Sequence, residues 1–139
     1  MSDPAISVER RREARERALA LLYEAEVKGV EPAEIVTALP VAPDPFAADL
    51  VRGVGDTVAD LDERIGAVSR GWTVARMPAL DRALLRVGCY ELLHEPETPT
   101  AVIINEAVEL ASRFSTDDSG RFVNGVLSRL AHELRPPRD

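Results

Sequence analysis

Apolar positions along this chain recur at helical spacing. Ala14, Ala18, Leu21, Leu22 and Ala25 fall at i, i+4, i+7, i+8 and i+11, which is one buried stripe of a helix. Ser7 stands where an N-cap belongs and Gly29 where a left-handed C-terminal residue belongs. Together they predict a helix over 7–28 behind a loose tail at 1–6. Residues 31–39 predict a short helix with Pro32 in its first turn. Asp44 as cap and Pro45 as first residue open a helix expected to run to about Arg70, where Gly71 ends it. Its seam is Phe46, Leu50, Val54, Val58, Leu61, Ile65 and Val68, and its Gly53 and Gly55 predict close approach of another helix. Residues 72–77 predict a brief helical turn, capped by Thr73. After the proline-marked break at 94–99, a stripe of Ile104, Ala107, Val108, Ala111 and Phe114 predicts a helix ending at Phe114. The polar turn at 115–120 offers Asp118 or Ser119 as N-cap of a last helix to about Leu134, with Val123, Val126, Leu127, Leu130 and Leu134 inward.

The stretch 79–93 differs from these amphipathic segments. Leu80, Ala83, Leu84, Leu85, Val87, Cys89, Leu92 and Leu93 cover most of the helix circumference. A helix apolar nearly all round is covered by neighbours on several sides. Its charges, Asp81, Arg82, Arg86 and Glu91, exclude a membrane span. Those four line either one exposed edge or a polar partner surface. No segment alternates at period two, so the class is all-α, about seven helices around a central buried helix at 79–93.

Charge sharpens the picture. Lys and Arg number 17 against 24 Asp and Glu, a net charge of −7, which argues against nucleic-acid binding over the whole surface. Locally the balance reverses, because Arg10, Arg11, Arg12, Arg15 and Arg17 are five arginines in eight residues. At 100° per residue Arg12, Glu16, Leu19 and Tyr23 share a face, with Arg15 beside them. Two readings stand here. Arginine forks bind phosphate and Tyr23 stacks a base; or this is a solvated helix end, paired with the interleaved Glu9, Glu13 and Glu16. Phe122 and Asn124 lie off the centre of the last helix's stripe, beside Gly125, and are either core edge or binding surface.

Catalysis is not expected. His94 and His132 lie in different segments without a metal pattern, and no phosphate loop, dinucleotide, zinc-protease or nucleophile-elbow string occurs. No cofactor or metal is implied. Cys89, the single cysteine, is expected to be a small buried hydrophobe. The first residues, MSDPAISVERRR, hold no apolar signal run, so the expected location is cytoplasmic.

These residues resemble the NusB family of transcription antitermination factors. The resemblance runs from ARERALALLYEAE through LDRALLRVGCYELL to VIINEAVELASRFSTDDSGRFVNGVL, the last block being the most specific. It implies one domain over 1–139, made of two small helical subdomains (about 7–70 and 72–135) sharing one core, and no catalysis. It also implies binding of the single-stranded boxA element of nascent ribosomal transcripts, together with NusE, a small-subunit ribosomal protein, within the RNA polymerase antitermination complex. By motif, RNA contact falls on Arg11, Arg12, Arg15, Tyr23, Arg86, Asp118, Phe122 and Asn124, and NusE contact on Asp81. Glu13 interrupts the arginine run, and Ala75 stands where some members carry a second acidic partner contact. Monomers and homodimers both occur in the family. The competing expectation is a helical protein–protein scaffold without RNA binding. NusB-like domains also occur fused to ribosomal RNA cytosine methyltransferases, but the 139 residues contain no Rossmann-like segment.

Overall fold

Proline stands at the entrance of five helices, where its missing N–H costs nothing. The computed structural model describes residues 4–137, and among them it contains seven α-helices, one short 3-10 turn and no strand. The helices are α1 (Pro4–Lys28), α2 (Pro32–Thr37), α3 (Pro45–Asp56), α4 (Val58–Val68), α5 (Ala79–His94), α6 (Thr100–Phe114) and α7 (Asp117–Leu134), with the 3-10 turn at Val74–Arg76. Pro4, Pro32 and Pro45 are first residues, while Pro78 and Pro99 immediately precede α5 and α6. Of the tail expected at 1–6, residues 1–3 lie outside the described residues. The rest is helical from Pro4, so Ser7 lies inside α1 and does not cap it.

The chain forms two compact units, one up to Asp56 and one from Thr57. In the first, α1 packs on α2 and α3. Ala14, Ala18, Leu21, Leu22 and Ala25 are buried as the spacing predicts, and so are Leu19 and Arg15. Gly29 ends α1 at φ 68°. The amide of Val30 reaches back to the Ala25 carbonyl at 3.0 Å and that of Gly29 to Glu26 at 3.2 Å, so the last carbonyls are satisfied. Asp44 caps α3 as expected, its Oδ1 accepting the Phe46 N–H at 2.8 Å. At Gly55 an added Cβ would meet Pro32 at 3.1 Å, the close helix approach that this glycine predicts.

The helix expected from Pro45 to about Arg70 is two helices. It breaks at Thr57, whose φ and ψ of −121° and 17° leave the helical region. Gly53, Gly55, Asp56 and Thr57 are all weak helix formers in sequence there. A seam read by periodicity runs straight through, because the apolar phase resumes on the far side.

In the second unit α5 is central, packed on α4, α6 and α7. Ala83, Leu84, Leu85, Val87, Cys89 and Leu92 are buried. Asp81 and Glu91 are buried too, at 4% and 1% exposure, so they do not line an open edge of the helix. Gly88 lets α7 come close, since a Cβ there would stand 2.7 and 2.9 Å from the Leu127 methyls. On α6 the buried stripe is Ile103, Ala107, Leu110 and Ala111, while Ile104 and Val108 are half-buried and Phe114 is exposed. Adjacent apolar residues fill two faces of α6, and spacing alone does not choose between them. On α7 Val123, Val126, Leu127 and Leu130 are buried as expected, and Leu134 is half-buried. Its cap is Thr116, whose hydroxyl accepts the Ser119 N–H at 3.0 Å, ahead of the expected Asp118 or Ser119. Thr73 precedes the 3-10 turn without a side-chain cap bond.

Arg135, just past α7, ties the unit together. Its guanidinium donates to the carbonyls of Glu91, Leu92, Glu95 and Thr98 at 3.2, 3.0, 2.7 and 2.6 Å. It thereby joins the end of α5 to the loop that enters α6.

Two glycines give opposite stability predictions. Gly88→Ala should lower stability by about 1–2 kcal/mol despite alanine's better helix propensity, because overpacking against Leu127 outweighs it. Gly125→Ala, whose Cβ meets only the end of Arg129 at 3.5 Å, should raise it by about 0.5–1 kcal/mol. Urea unfolding midpoints of the two variants check the contrast.

Candidate nucleic-acid interface

The arginine cluster of α1 is partly engaged by groups at the start of α3. Arg10 donates from Nε to Asp44 Oδ2 at 2.7 Å. This hydrogen bond, followed by the Phe46 N–H and the charges of Arg10 and Arg11, holds the Asp44 carboxyl below its usual range. The Arg11 guanidinium lies 4.4 Å from the centre of the Phe46 ring and that of Arg15 lies 5.5 Å away. Such cation–π contacts fix the direction of a long side chain. Arg15 is 4% exposed, whereas Arg10, Arg11, Arg12 and Arg17 stand at the surface. Tyr23 is 45% exposed. It lies about 16 Å along the helix from Arg12, on the same face, by helix geometry. Leu19, expected on that face, is buried at 4%.

In the second unit Phe122 is half-buried and meets Trp72 edge to face, centroids 6.1 Å apart at 61°. Trp72 is 52% exposed. Asp118 is exposed and paired with Arg121. Four residues apart, Asp118 and Phe122 share one side of α7, while Asn124 stands about 160° round from Phe122. The Asn124 Oδ1 accepts the Ser128 hydroxyl at 3.3 Å. The structure thus brings Phe122 and Trp72 together, with Asp118 one turn away on the Phe122 side of α7, and sets Asn124 apart.

Two other expected contacts have internal partners. Arg86 makes a two-pronged pair with Asp62 of α4, Nε to Oδ1 at 2.7 Å and Nη2 to Oδ2 at 2.8 Å. Asp81 is buried, its Oδ2 accepting the Ser119 hydroxyl at 3.2 Å and its Oδ1 without a partner. Burial raises the Asp81 carboxyl, and the Ser119 bond partly lowers it. Arg82 donates to the carbonyls of Val74, Ala75 and Met77 at 3.1, 3.3 and 2.9 Å, pinning the 3-10 turn to α5. Cys89 is the buried hydrophobe its setting predicts, with a thiol pushed up by burial to about 12.

Phe46 and Trp72 make ring contacts that the sequence does not reveal. By spacing Phe46 belongs to a seam and Trp72 to a turn, and neither pattern reveals which ring a distant arginine or phenylalanine will meet. The available signal was compositional, since Trp72 is the single tryptophan of a chain with few aromatics. Among the described residues no group of His, Cys, Asp and Glu is placed to hold a metal ion, and no helix is long and apolar enough to cross a membrane.

The NusB family model matches residues 12–132. The transcription antitermination protein NusB of Cutibacterium acnes is 48% identical over 122 residues, which are 84% of this chain and 46% of that protein. The chain therefore spans about half the length of that relative. The protein of the same name from Kineococcus radiotolerans is 43% identical over 87% of this chain and 92% of its own length. Among solved structures, T. maritima NusB superposes with a TM-score of 0.81 at 31% identity, covering 96% of this chain and 94% of that one. A chain from the crystal structure of antitermination factors NusB and NusE in complex with double-stranded RNA gives 0.78 at 24% identity, covering 90% and 98%, a likeness of fold. The chain belongs to the NusB family.

The buried Asp81 carboxyl yields a pH prediction. A carboxyl raised above its ordinary 3.8 by folding favours the folded state only while protonated. That contribution is complete below the ordinary value and is lost as pH rises through the raised one. Asp81→Asn should therefore unfold at higher urea than the parent at pH 7. The gap should shrink as the pH falls toward 4. Unfolding midpoints taken across that range check it, and a gap that does not change with pH refutes it.

Proposed function

We propose that this NusB-family chain is a transcription antitermination factor. In this reading it binds the single-stranded boxA element of nascent ribosomal RNA together with NusE, and joins the RNA polymerase antitermination complex in the cytoplasm. It acts by binding, with no catalytic step. The observation that carries the reading is the arginine face of α1, held on the acidic chain by Asp44 and Phe46. An overall charge of −7 repels RNA at long range. Inside a Debye length of about 8–10 Å the local cluster dominates. A basic partner beside it extends the positive surface, which supports the dependence on NusE.

Exposure and internal pairing favour a division of roles within this proposal. Arg11 and Arg12 are the phosphate ligands, since both stand at the surface, and Tyr23 offers a ring for stacking on the Arg12 face. Arg15 supports them from beneath, buried near Phe46. Arg86, whose fork is filled by Asp62, braces α4 against α5. Asp81 contributes to partner binding by shaping the start of α5 and its Ser119 contact. Phe122 and Asp118 form a second RNA-facing area on α7, and Asn124, on the other side of that helix, lies outside it.

A titration of labelled boxA-type RNA against the chain, with and without cognate NusE, tests the reading. Binding should tighten with NusE and exceed that of a scrambled RNA. Arg12→Ala should weaken binding and reduce the slope of log affinity against log salt by about one unit or less, the loss of one phosphate contact. Arg86→Ala should leave that slope unchanged. RNA that binds nowhere, with or without NusE, would leave a helical protein scaffold.

A further inference from the structure

Trp72 is out of place for a structural tryptophan. Large aromatic rings contribute most when buried. This one stays 52% exposed, at the Gly71 turn after α4. Its position is nonetheless fixed from two sides. Phe122 holds it edge to face at 6.1 Å. Arg129, two turns beyond Phe122 on the same side of α7, donates from Nε to the Val68 carbonyl at 2.8 Å, anchoring the chain four residues before Trp72. An edge-to-face pair covers at most one face of the indole, so its exposure leaves ring surface open to solvent.

The surroundings suit an unpaired base. Arg70, exposed, precedes Trp72 by two residues, and the Arg129 guanidinium runs along the Phe122 side of α7. Of the carboxylates on that side, Asp118 is engaged by Arg121, and Glu133 lies one turn beyond Arg129, at the far end of the helix. Aromatic rings beside arginines are how proteins without a groove-reading element hold single-stranded RNA, each base stacking on a ring while cations follow the phosphates.

We propose that Trp72 is an RNA-binding residue: the Trp72–Phe122 pair is a stacking platform that receives one unpaired base, with Arg70 and Arg129 beside its phosphate. The proposal rests on the RNA-binding reading above and adds to it a residue and a mode of contact. Stacking tolerates any base, so the platform contributes affinity while the choice of sequence is made elsewhere.

Trp72 is its own reporter, because the chain has no other tryptophan. The experiment uses the chain with cognate NusE and an end-labelled, boxA-type single-stranded RNA, read by anisotropy. Indole emission is read in parallel, with the Trp72→Phe complex as baseline. Binding should quench the Trp72 emission. Trp72→Leu should weaken RNA binding roughly tenfold, Trp72→Phe should retain most of the affinity, and neither should change the salt slope. If the RNA binds the parent but Trp72 emission stays constant and Trp72→Leu binds normally, the platform is refuted while the functional reading stands. If NusE alone shifts the emission and Trp72→Leu weakens NusE rather than RNA, the face belongs to the protein partner and the proposal fails. If no RNA binds the parent in the anisotropy channel, both readings fall together.

Discussion

The second unit depends on a side chain that is missing. Gly88 lies on the helix that touches α4, α6 and α7, and Leu127 fills the space a Cβ would take. Helix axes come this close only where one partner lacks bulk. Seating Leu127 at Gly88 fixes the rotation of α7 about its own axis. That rotation sends Val123, Val126 and Leu130 inward and leaves Phe122 on one flank and Asn124 on the other. The placement of the aromatic ledge is thus a consequence of core packing. A change at Gly88 would disturb Phe122 from the opposite side of the helix.

Arginine does much of the remaining assembly. Arg82 holds the 3-10 turn, Arg86 bridges to α4, Arg129 anchors the carbonyl of Val68 and Arg135 gathers the carbonyls where α5 ends. In the first unit Arg10 and Arg11 are oriented by Asp44 and Phe46. A guanidinium suits these places because it offers five N–H groups in a rigid plane and stays charged. The same properties suit phosphate, so residue type alone does not separate a brace from a ligand. Each guanidinium is distinguished by what already fills its fork.

This explains which parts were legible in the sequence. Proline and glycine act locally, so the starts of α2, α3 and α5, the Gly29 cap and the Asp44 cap were readable from spacing, whereas α1 and α7 begin ahead of the Ser7 and Asp118 caps that the spacing suggests. The encircling apolar pattern of 79–93 likewise marked the central helix before any neighbour was known. The break at Thr57 was not readable, because the apolar seam keeps its phase across it and only weak helix formers mark the spot. The α6 stripe was misplaced since two adjacent faces are apolar and the neighbours choose. Arg86 and Asp81 looked like surface charges, yet their partners, Asp62 and Ser119, lie 24 and 38 residues away. Long-range pairing of this kind leaves no periodic trace. The family resemblance pointed to the α1 arginines and the α7 block by motif, and motif carries no information on exposure, so it did not single out Trp72.

On the RNA-binding reading proposed above, the α1 arginines and the Trp72–Phe122 pair would offer different chemistries, and those chemistries respond differently to conditions. The exposed arginines of α1 would act through charge, which salt screens and which the chain's own acidity opposes. The aromatic pair formed by α7 and the turn after α4 would act through ring surface, which salt hardly touches. A net-negative chain that relied on charge alone would lose its ligand as ionic strength rose. A stacking contact retains a share of the affinity that salt does not erode. It also demands an unpaired base, because a base within a duplex shows no free face. A platform of this kind would make single-strandedness a condition of tight binding without any hydrogen-bond readout of sequence.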